Sequence, residues 1–317
     1  MIPAGRITAL VGPTAVGKTS AAVGIAEALG AEIVSCDSMQ IYRGLDIGTA
    51  KPGPELLARV PHHLVDLVEP THEVTASEFQ ALARTAIGDI VQRGRLPLLV
   101  GGSGLYFRAV VDDLAFPPTS PEVRRTLEAE VAKLGPAALH ARLAALDPEA
   151  AGRMEPGNAR KVVRALEVIA ITGRRFSKGY VWNSSTGPFE LKVAGLRRPR
   201  PELYDRIERR VDEMLEAGLV AEAKALETRG VARTARHALG YRQILEAPPG
   251  TPPADIRAGI VRATKRFARR QESWFGADAR VRWFDAGAEG VEDDLVRWLG
   301  AGPTDPQVDA SAQPAVR

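Results

Sequence analysis

The stretch Gly12-Pro13-Thr14-Ala15-Val16-Gly17-Lys18-Thr19 decides the fold. It follows an apolar run, Ile7 to Val11, and precedes a helical pattern over 18–29, so it reads as a GxxxxGKT turn between a buried strand and a helix. In that setting backbone amides, the Lys18 ammonium and the Thr19 hydroxyl can cradle a diphosphate together with Mg²⁺. Such loops serve ATPases, GTPases, small-molecule kinases and a few transferases. The motif therefore predicts a phosphate ligand and leaves the reaction open.

One strand later comes Asp37-Ser38-Met39-Gln40-Ile41-Tyr42. Asp37 falls just past the second strand, at the carboxyl edge where open α/β sheets bind ligands. A carboxylate there can act as a general base, orient a hydroxyl or amine, or ligate Mg²⁺; its structural alternative is a helix or turn cap. An ordinary phosphate-loop hydrolase ends a later strand in an Asp, whereas here 96–100 runs into Gly101-Gly102-Ser103-Gly104. Small residues and free amides at that point weaken the hydrolase reading and predict a loop that admits a bulky ligand.

The chain has 317 residues, 45% hydrophobic and 26% charged, as suits a globular enzyme with one large domain and a smaller one. No apolar run reaches membrane-spanning length and no signal-peptide pattern precedes the first strand, so a cytoplasmic protein is expected; a monomer is the accompanying expectation. Cys36 is the single cysteine, which excludes a disulfide framework and a zinc knuckle; it reads as a buried strand-end thiol. His62 and His63 lack a third ligand at metal spacing and read as hydrogen-bonding residues. The net charge of +3 does not by itself point to nucleic acid, but Arg257, Arg262, Lys265, Arg266, Arg269 and Arg270 form an acid-free helical run. Its apolar face is expected at Ile260, Phe267 and Trp274, its basic face on a polyanion.

Apolar runs at 7–11, 31–35, 64–68 and 96–100 alternate with helical patterns at 18–29 and 77–93, the rhythm of a parallel sheet flanked by helices. Thr75 with Glu78 predicts a capping box. From 113 to 189 only helices are predicted, over 121–134, 137–146 and 158–172, the last with a stripe of Val162, Val163, Leu166 and Ile169. A strand at 190–196 returns to the sheet, followed by helices at 201–217, 219–229 and 254–275, a strand at 281–284 and a last helix to Leu299. The expected architecture is thus an α/β, P-loop NTPase-like core (1–112 and 190–300) with an all-helical insertion (113–189) and a disordered tail (301–317).

The segments GPTAVGKTS (12–20), DSMQIYRGLDIGTAKP (37–52), PHHLVD (61–66), LLVGGSGLYFRA (98–109), RKVVRALEV (160–168), LYDRIERRVDEML (203–215), GYRQ (240–243) and TKRFARRQESWF (264–275) resemble, in order, those of the tRNA dimethylallyltransferase family. The resemblance implies transfer of a dimethylallyl group from dimethylallyl diphosphate to N6 of the adenosine 3′-adjacent to the tRNA anticodon. It implies that Gly12 to Thr19 bind the diphosphate with Mg²⁺ on Thr19, that Asp37 is the base, and that Arg206 is a further cation on the diphosphate. It also implies that Asp37, Ser38, Met39, Gln40 and Ser103 line a channel for the extruded adenosine. Arg160, Lys161 and Arg164 on the insertion, with Arg236, Gly240, Tyr241, Arg242 and Gln243, would grip the anticodon stem-loop. Ser103 departs from the family's usual Thr and keeps only the hydroxyl. Tyr106, Phe107, Trp182 and Trp274 are candidates for base stacking or for core. The competing readings are a free-adenylate isopentenyltransferase, which needs no large basic surface, an ATP-dependent small-molecule kinase, and a non-catalytic tRNA-binding protein.

Overall fold

The computed structural model describes residues 5–179 and 187–301; Trp182 and the expected tail from 302 onward lie outside the described residues. The chain divides into two compact units, Met1–Val111 with Gly187–Arg317, and Asp112–Thr186.

The first unit opens with β1 (Arg6–Val11), α1 (Lys18–Leu29), β2 (Ala31–Ser35), α2 (Pro54–Arg59), β3 (His62–His63), α3 (Ala76–Gln92), β4 (Leu96–Gly101) and α4 (Gly104–Val111). The second unit follows with α5 (Pro121–Leu134), α6 (Pro136–Leu146), α7 (Pro148–Gly152), α8 (Ala159–Thr172) and α9 (Phe176–Gly179). The chain then rejoins the first unit through β5 (Glu190–Arg197), α10 (Arg200–Glu216), α11 (Leu219–Arg229), α12 (Arg233–Arg236) and α13 (Tyr241–Leu245). It ends with α14 (Pro253–Gly276), β6 (Val281–Asp285) and α15 (Val291–Gly300).

Among the described residues six parallel strands form one sheet in the order β3-β2-β4-β1-β5-β6. Helices cover both faces, so β1 is buried on both sides; even Thr8 is buried, its hydroxyl donating to the Pro97 carbonyl. Register brings the strand ends together: Val11 lies opposite Gly101, and the Cys36 N–H donates to the Val100 carbonyl at 2.7 Å. The loops at 12–17, 36–40 and 101–103 therefore open side by side at the carboxyl edge.

Local expectations are corrected at three places. The strand expected at 64–68 is only the pair His62–His63, because Leu64 (φ 63°) and Asp66 (φ 53°) adopt left-handed backbone that an extended strand cannot contain. Thr75 caps α3 by accepting the Glu78 N–H at 3.1 Å, but the Glu78 carboxylate turns to His72 (2.8 Å), leaving half a capping box. On α14 the buried face is Ile260, Val261, Thr264, Ala268, Gln271 and Phe275, whereas Trp274 is 42% exposed. The seven-residue spacing of the large apolar residues concealed that polar Thr264 and Gln271 face inward.

The second unit has its own core of Leu127, Leu139, Leu143, Val162, Val163 and Leu166, with Ile169 half-buried at its edge. Inside it sits Glu167, fully buried, accepting from Arg124 (2.8 Å), Arg164 (2.7 Å) and the Ser120 N–H (2.9 Å). Burial pushes its carboxyl up, but those donors outweigh it and hold the group below the usual range.

Candidate active site

The phosphate loop is shaped by backbone that glycine makes accessible. Gly12 has φ 143°, and a Cβ there would stand 2.5 Å from the Leu196 carbonyl oxygen, so no larger residue lets β1 turn past β5. Gly17 begins α1 in left-handed backbone (φ 114°) with no side chain capping the first turn, which leaves its N–H groups directed at the loop's concavity. Lys18 folds back to donate to the Pro13 carbonyl at 2.8 Å. Lost hydration and then the Arg210 guanidinium push its ammonium down to about 7, against the pull of Asp37.

Helix α10 supplies the remaining cations. Its apolar residues Leu203, Ile207 and Val211 are buried, and the adjacent stripe carries Arg206 and, one turn on, Arg210. Arg206 Nε donates to the Ala15 carbonyl at 2.8 Å, which ties helix to loop. Lys18, Thr19, Arg206, Arg209 and Arg210 line a cavity of about 430 Å³. Arg210 was not singled out from the sequence, although its four-residue spacing from Arg206 was the available signal.

Arg210 also lines a second cavity of about 250 Å³, together with Thr14, Asp37 and Ser103. The rest of its wall is largely apolar, including Val211 and Met214 of α10 and Ile260 and Phe267 of α14. Burial lowers the Arg210 guanidinium, while Asp37 and then Glu213 raise it. Asp37 Oδ1 accepts the Met39 N–H at 2.8 Å, so a turn-capping bond orients the same carboxylate that faces the cavity.

The other expected site residues separate into groups. Ser38, Met39, Ser103 and Gly240 line the second cavity. Gln40 instead ties loops together, accepting from Ser35 Oγ at 3.0 Å and donating to the Thr49 carbonyl at 3.2 Å. Tyr241 is buried, donating to Glu222 at 2.5 Å and accepting the Gly48 N–H at 3.2 Å, while Glu222 also accepts the N–H groups of Asp46, Ile47 and Gly48. Burial and that Glu222 bond raise the phenol further. Gln243 is folded onto the Gly240 N–H (2.9 Å), Arg236 pairs with Glu227 (2.8 Å) and Arg242 with Glu246 (2.8 Å). In the second unit Arg160 and Lys161 are exposed, whereas Arg164 is spent on Glu167 and the Pro117 and Pro118 carbonyls. Tyr241, Gln243 and Arg164 thus each hold a structural partner, as do Arg236 and Arg242.

The glycine loop after β4 also differs from expectation. A Cβ at Gly101 would meet the Cys36 carbonyl oxygen at 2.5 Å, one at Gly102 the Gln271 amide, and one at Gly104 the Trp274 ring. These glycines admit protein, and only Ser103 faces the cavity. Tyr106 packs edge-on against Phe79 (4.6 Å between centroids) and Phe107 against Phe275 (5.6 Å), which makes both core. Cys36 is buried and its thiol is pushed up to about 12 by burial and then by Asp37, so it is no nucleophile. His63 bonds Glu32 (2.7 Å) and His62 the Val60 carbonyl (2.7 Å).

The acid-free run on α14 is partly balanced from α10: Arg257 pairs with Asp212 (2.5 Å) and Lys265 with Glu208 (2.5 Å). Arg262, Arg266, Arg269 and Arg270 remain exposed, Arg270 at the rim of the second cavity. Among the described residues no cluster of three His, Cys, Asp or Glu could hold a metal. The Thr19 hydroxyl lines the cationic cavity, and it would fit as a single protein ligand to a magnesium ion that keeps most of its water.

The fold and site define a class, a phosphate-loop α/β protein in which a cationic cavity adjoins an apolar one. Family models extend this: IPP transferase matches residues 40–278 and isopentenyl transferase residues 5–73. The chain is 53% identical over 288 residues to the tRNA dimethylallyltransferase of Streptomyces coelicolor, covering 90% of this chain and 92% of that one. It aligns with the tRNA isopentenylpyrophosphate transferase structure from Bacillus halodurans at 40% identity and TM-score 0.68, over 93% and 96% of the two chains. A eukaryotic dimethylallyltransferase solved acting on tRNA shares the fold at 24% identity and TM-score 0.76, over 89% of this chain and 74% of that one. The chain belongs to the IPP transferase family.

Proposed function

We propose that the protein transfers a dimethylallyl group from dimethylallyl diphosphate to N6 of the adenosine 3′-adjacent to the anticodon of tRNA, releasing diphosphate. The observation that carries this reading is the junction of the two cavities: cations and the phosphate loop line one, Asp37 and apolar side chains line the other, and Arg210 belongs to both. An anionic leaving group suits the first, and an allyl group meeting a base suits the second.

In the reaction the N6 lone pair attacks C1 of the allyl group as the C1–O bond to diphosphate breaks, and the bonding electrons leave with the diphosphate. Lys18, Arg206 and Arg210 stabilise the charge developing there. Magnesium, when bound, adds Lewis-acid neutralisation of the same oxygens. An exocyclic amine is too weak an acid to ionise first, so Asp37 aligns the nitrogen and takes its proton during or after attack. Ser38, Met39 and Ser103, which line the same cavity as Asp37, would contact the extruded base. Phosphates of the anticodon stem-loop would be gripped by Arg160 and Lys161 and by the exposed arginines of α14.

The test is incubation with labelled dimethylallyl diphosphate, or labelled ATP, in the presence of bulk tRNA or AMP. Prenyl label in tRNA alone supports the reading. Label in AMP, or phosphoryl label from ATP, replaces it with the adenylate transferase or the kinase.

A further inference from the structure

Gln271 is buried on α14 and outside both cavities, yet its amide spans the two loops that face the reaction. Its Oε1 accepts the Thr14 N–H of the phosphate loop at 2.9 Å, and its Nε2 donates to the Gly102 carbonyl after β4 at 2.9 Å. Thr14 lines the second cavity, and so does Ser103, the residue after Gly102. One planar amide thus links the loop that holds the diphosphate to the loop beside the acceptor. The fit is close on both sides: Gly102 has no room for a Cβ beside the Gln271 amide, and Gly12, two residues before Thr14, has none beside Leu196.

The bonding needs a donor and an acceptor at the end of one side chain of this length. Glu keeps the acceptor for Thr14 and turns an anion on the Gly102 carbonyl; Met keeps the length and makes neither bond. A buried residue that only filled space would not need both. We propose that Gln271 is a positioning residue that fixes the phosphate loop against the Ser103 loop, so that donor carbon and acceptor nitrogen meet in line. The proposal rests on the transferase reading given above. Misplacement of reacting groups by about 1 Å can cost about 10²-fold in rate, far more than it costs in binding.

The test compares wild type, Gln271→Met and Gln271→Glu. Gln271→Met is expected to lower kcat by about 10- to 10²-fold. KM for tRNA and the affinity for inorganic diphosphate should each stay within about threefold of wild type, because neither ligand's own contacts are removed. In Gln271→Glu the new carboxyl, when protonated, regains a donor toward Gly102, so kcat relative to wild type should recover as pH falls from about 8 to about 6. Gln271→Met has no group to titrate and its deficit should stay constant. A folded Gln271→Met with wild-type kcat overturns the proposal, as does a loss of kcat matched by an equal loss of diphosphate affinity, which would confine Gln271 to the phosphate loop. Should the variants not fold, hydrogen exchange in the wild type decides: a protected Thr14 amide supports the clamp and a freely exchanging one overturns it. If the wild type transfers no prenyl group to tRNA, the transferase reading fails in its own assay, while Thr14 exchange and diphosphate binding still judge the clamp.

Discussion

Lys18 makes diphosphate binding a proton-coupled event. In the free protein its ammonium is pushed down to about 7 by lost hydration and by Arg210. A bound diphosphate places several negative charges against the amine and should restore it toward its ordinary value of about 10.4. Binding then selects the protonated amine, so this group's contribution to affinity is complete below pH about 7 and falls about tenfold for each pH unit above it, about 1.4 kcal/mol per unit. Occupancy follows directly: with a value of about 7 the free amine is about 0.1 protonated at pH 8 and about 0.9 protonated at pH 6. Binding should therefore draw about 0.9 proton at pH 8, about 0.5 at pH 7 and about 0.1 at pH 6. Calorimetry with dimethylallyl diphosphate in two buffers of different ionisation enthalpy measures that number. The ligand's own ionisation is removed by subtracting the same experiment on Lys18→Arg, whose guanidinium keeps the charge and does not titrate. A difference near zero at pH 8 would refute the reasoning, because it would mean that Lys18 is already charged beneath the empty loop.

Arg164→Ala should lower thermal stability by about 1–3 kcal/mol, since it strips a charged donor from buried Glu167, and should leave the salt slope of tRNA binding unchanged. Replacing Arg160 and Lys161 by Ala should do the reverse, reducing the log–log salt slope by up to about two with an unchanged melting temperature. Tyr241→Phe removes one donor to Glu222 and the acceptor of the Gly48 N–H; it should destabilise the fold by about 1–3 kcal/mol and raise KM for tRNA with unchanged diphosphate affinity, as steady-state kinetics and calorimetry would report. Asp37→Asn should lower turnover by about 10²–10⁴ with both ligand affinities retained; full single-turnover activity would reduce Asp37 to a turn cap. Glu167, held below the usual carboxylate range, contributes stability that is complete above pH about 4.3 and lost as pH falls through its lower folded value, so Glu167→Gln should flatten that part of an acid unfolding profile.

The phosphate loop was legible because its chemistry is local: Gly12, Gly17, Lys18 and Thr19 do their work within eight residues, and the strand and helix on either side follow from hydrophobic period alone. The apolar strands β1, β2, β4 and β5 were legible for the same reason, whereas the apolar run at 64–68 misled, because left-handed backbone at Leu64 and Asp66 breaks it. What the sequence concealed is where a polar side chain spends its hydrogen bonds. Tyr241, Gln243, Gln40 and Arg164 stand in segments that resemble a tRNA-modifying family, and a motif does not reveal whether such a residue meets the ligand or holds the wall that does. Glu222 and Gln271 were invisible for the complementary reason, since each acts on backbone far away in sequence: Glu222 on the amides of 46–48, Gln271 on Thr14 and Gly102. The glycines after β4 show the limit most directly. Their small size signalled a close approach, and only the fold could say that what approaches is Cys36, Gln271 and Trp274. Those contacts leave Ser103 as the one residue of that loop lining the cavity, and Gln271 fixes the residue before it, so the tight packing of the three glycines holds Ser103 at the cavity wall.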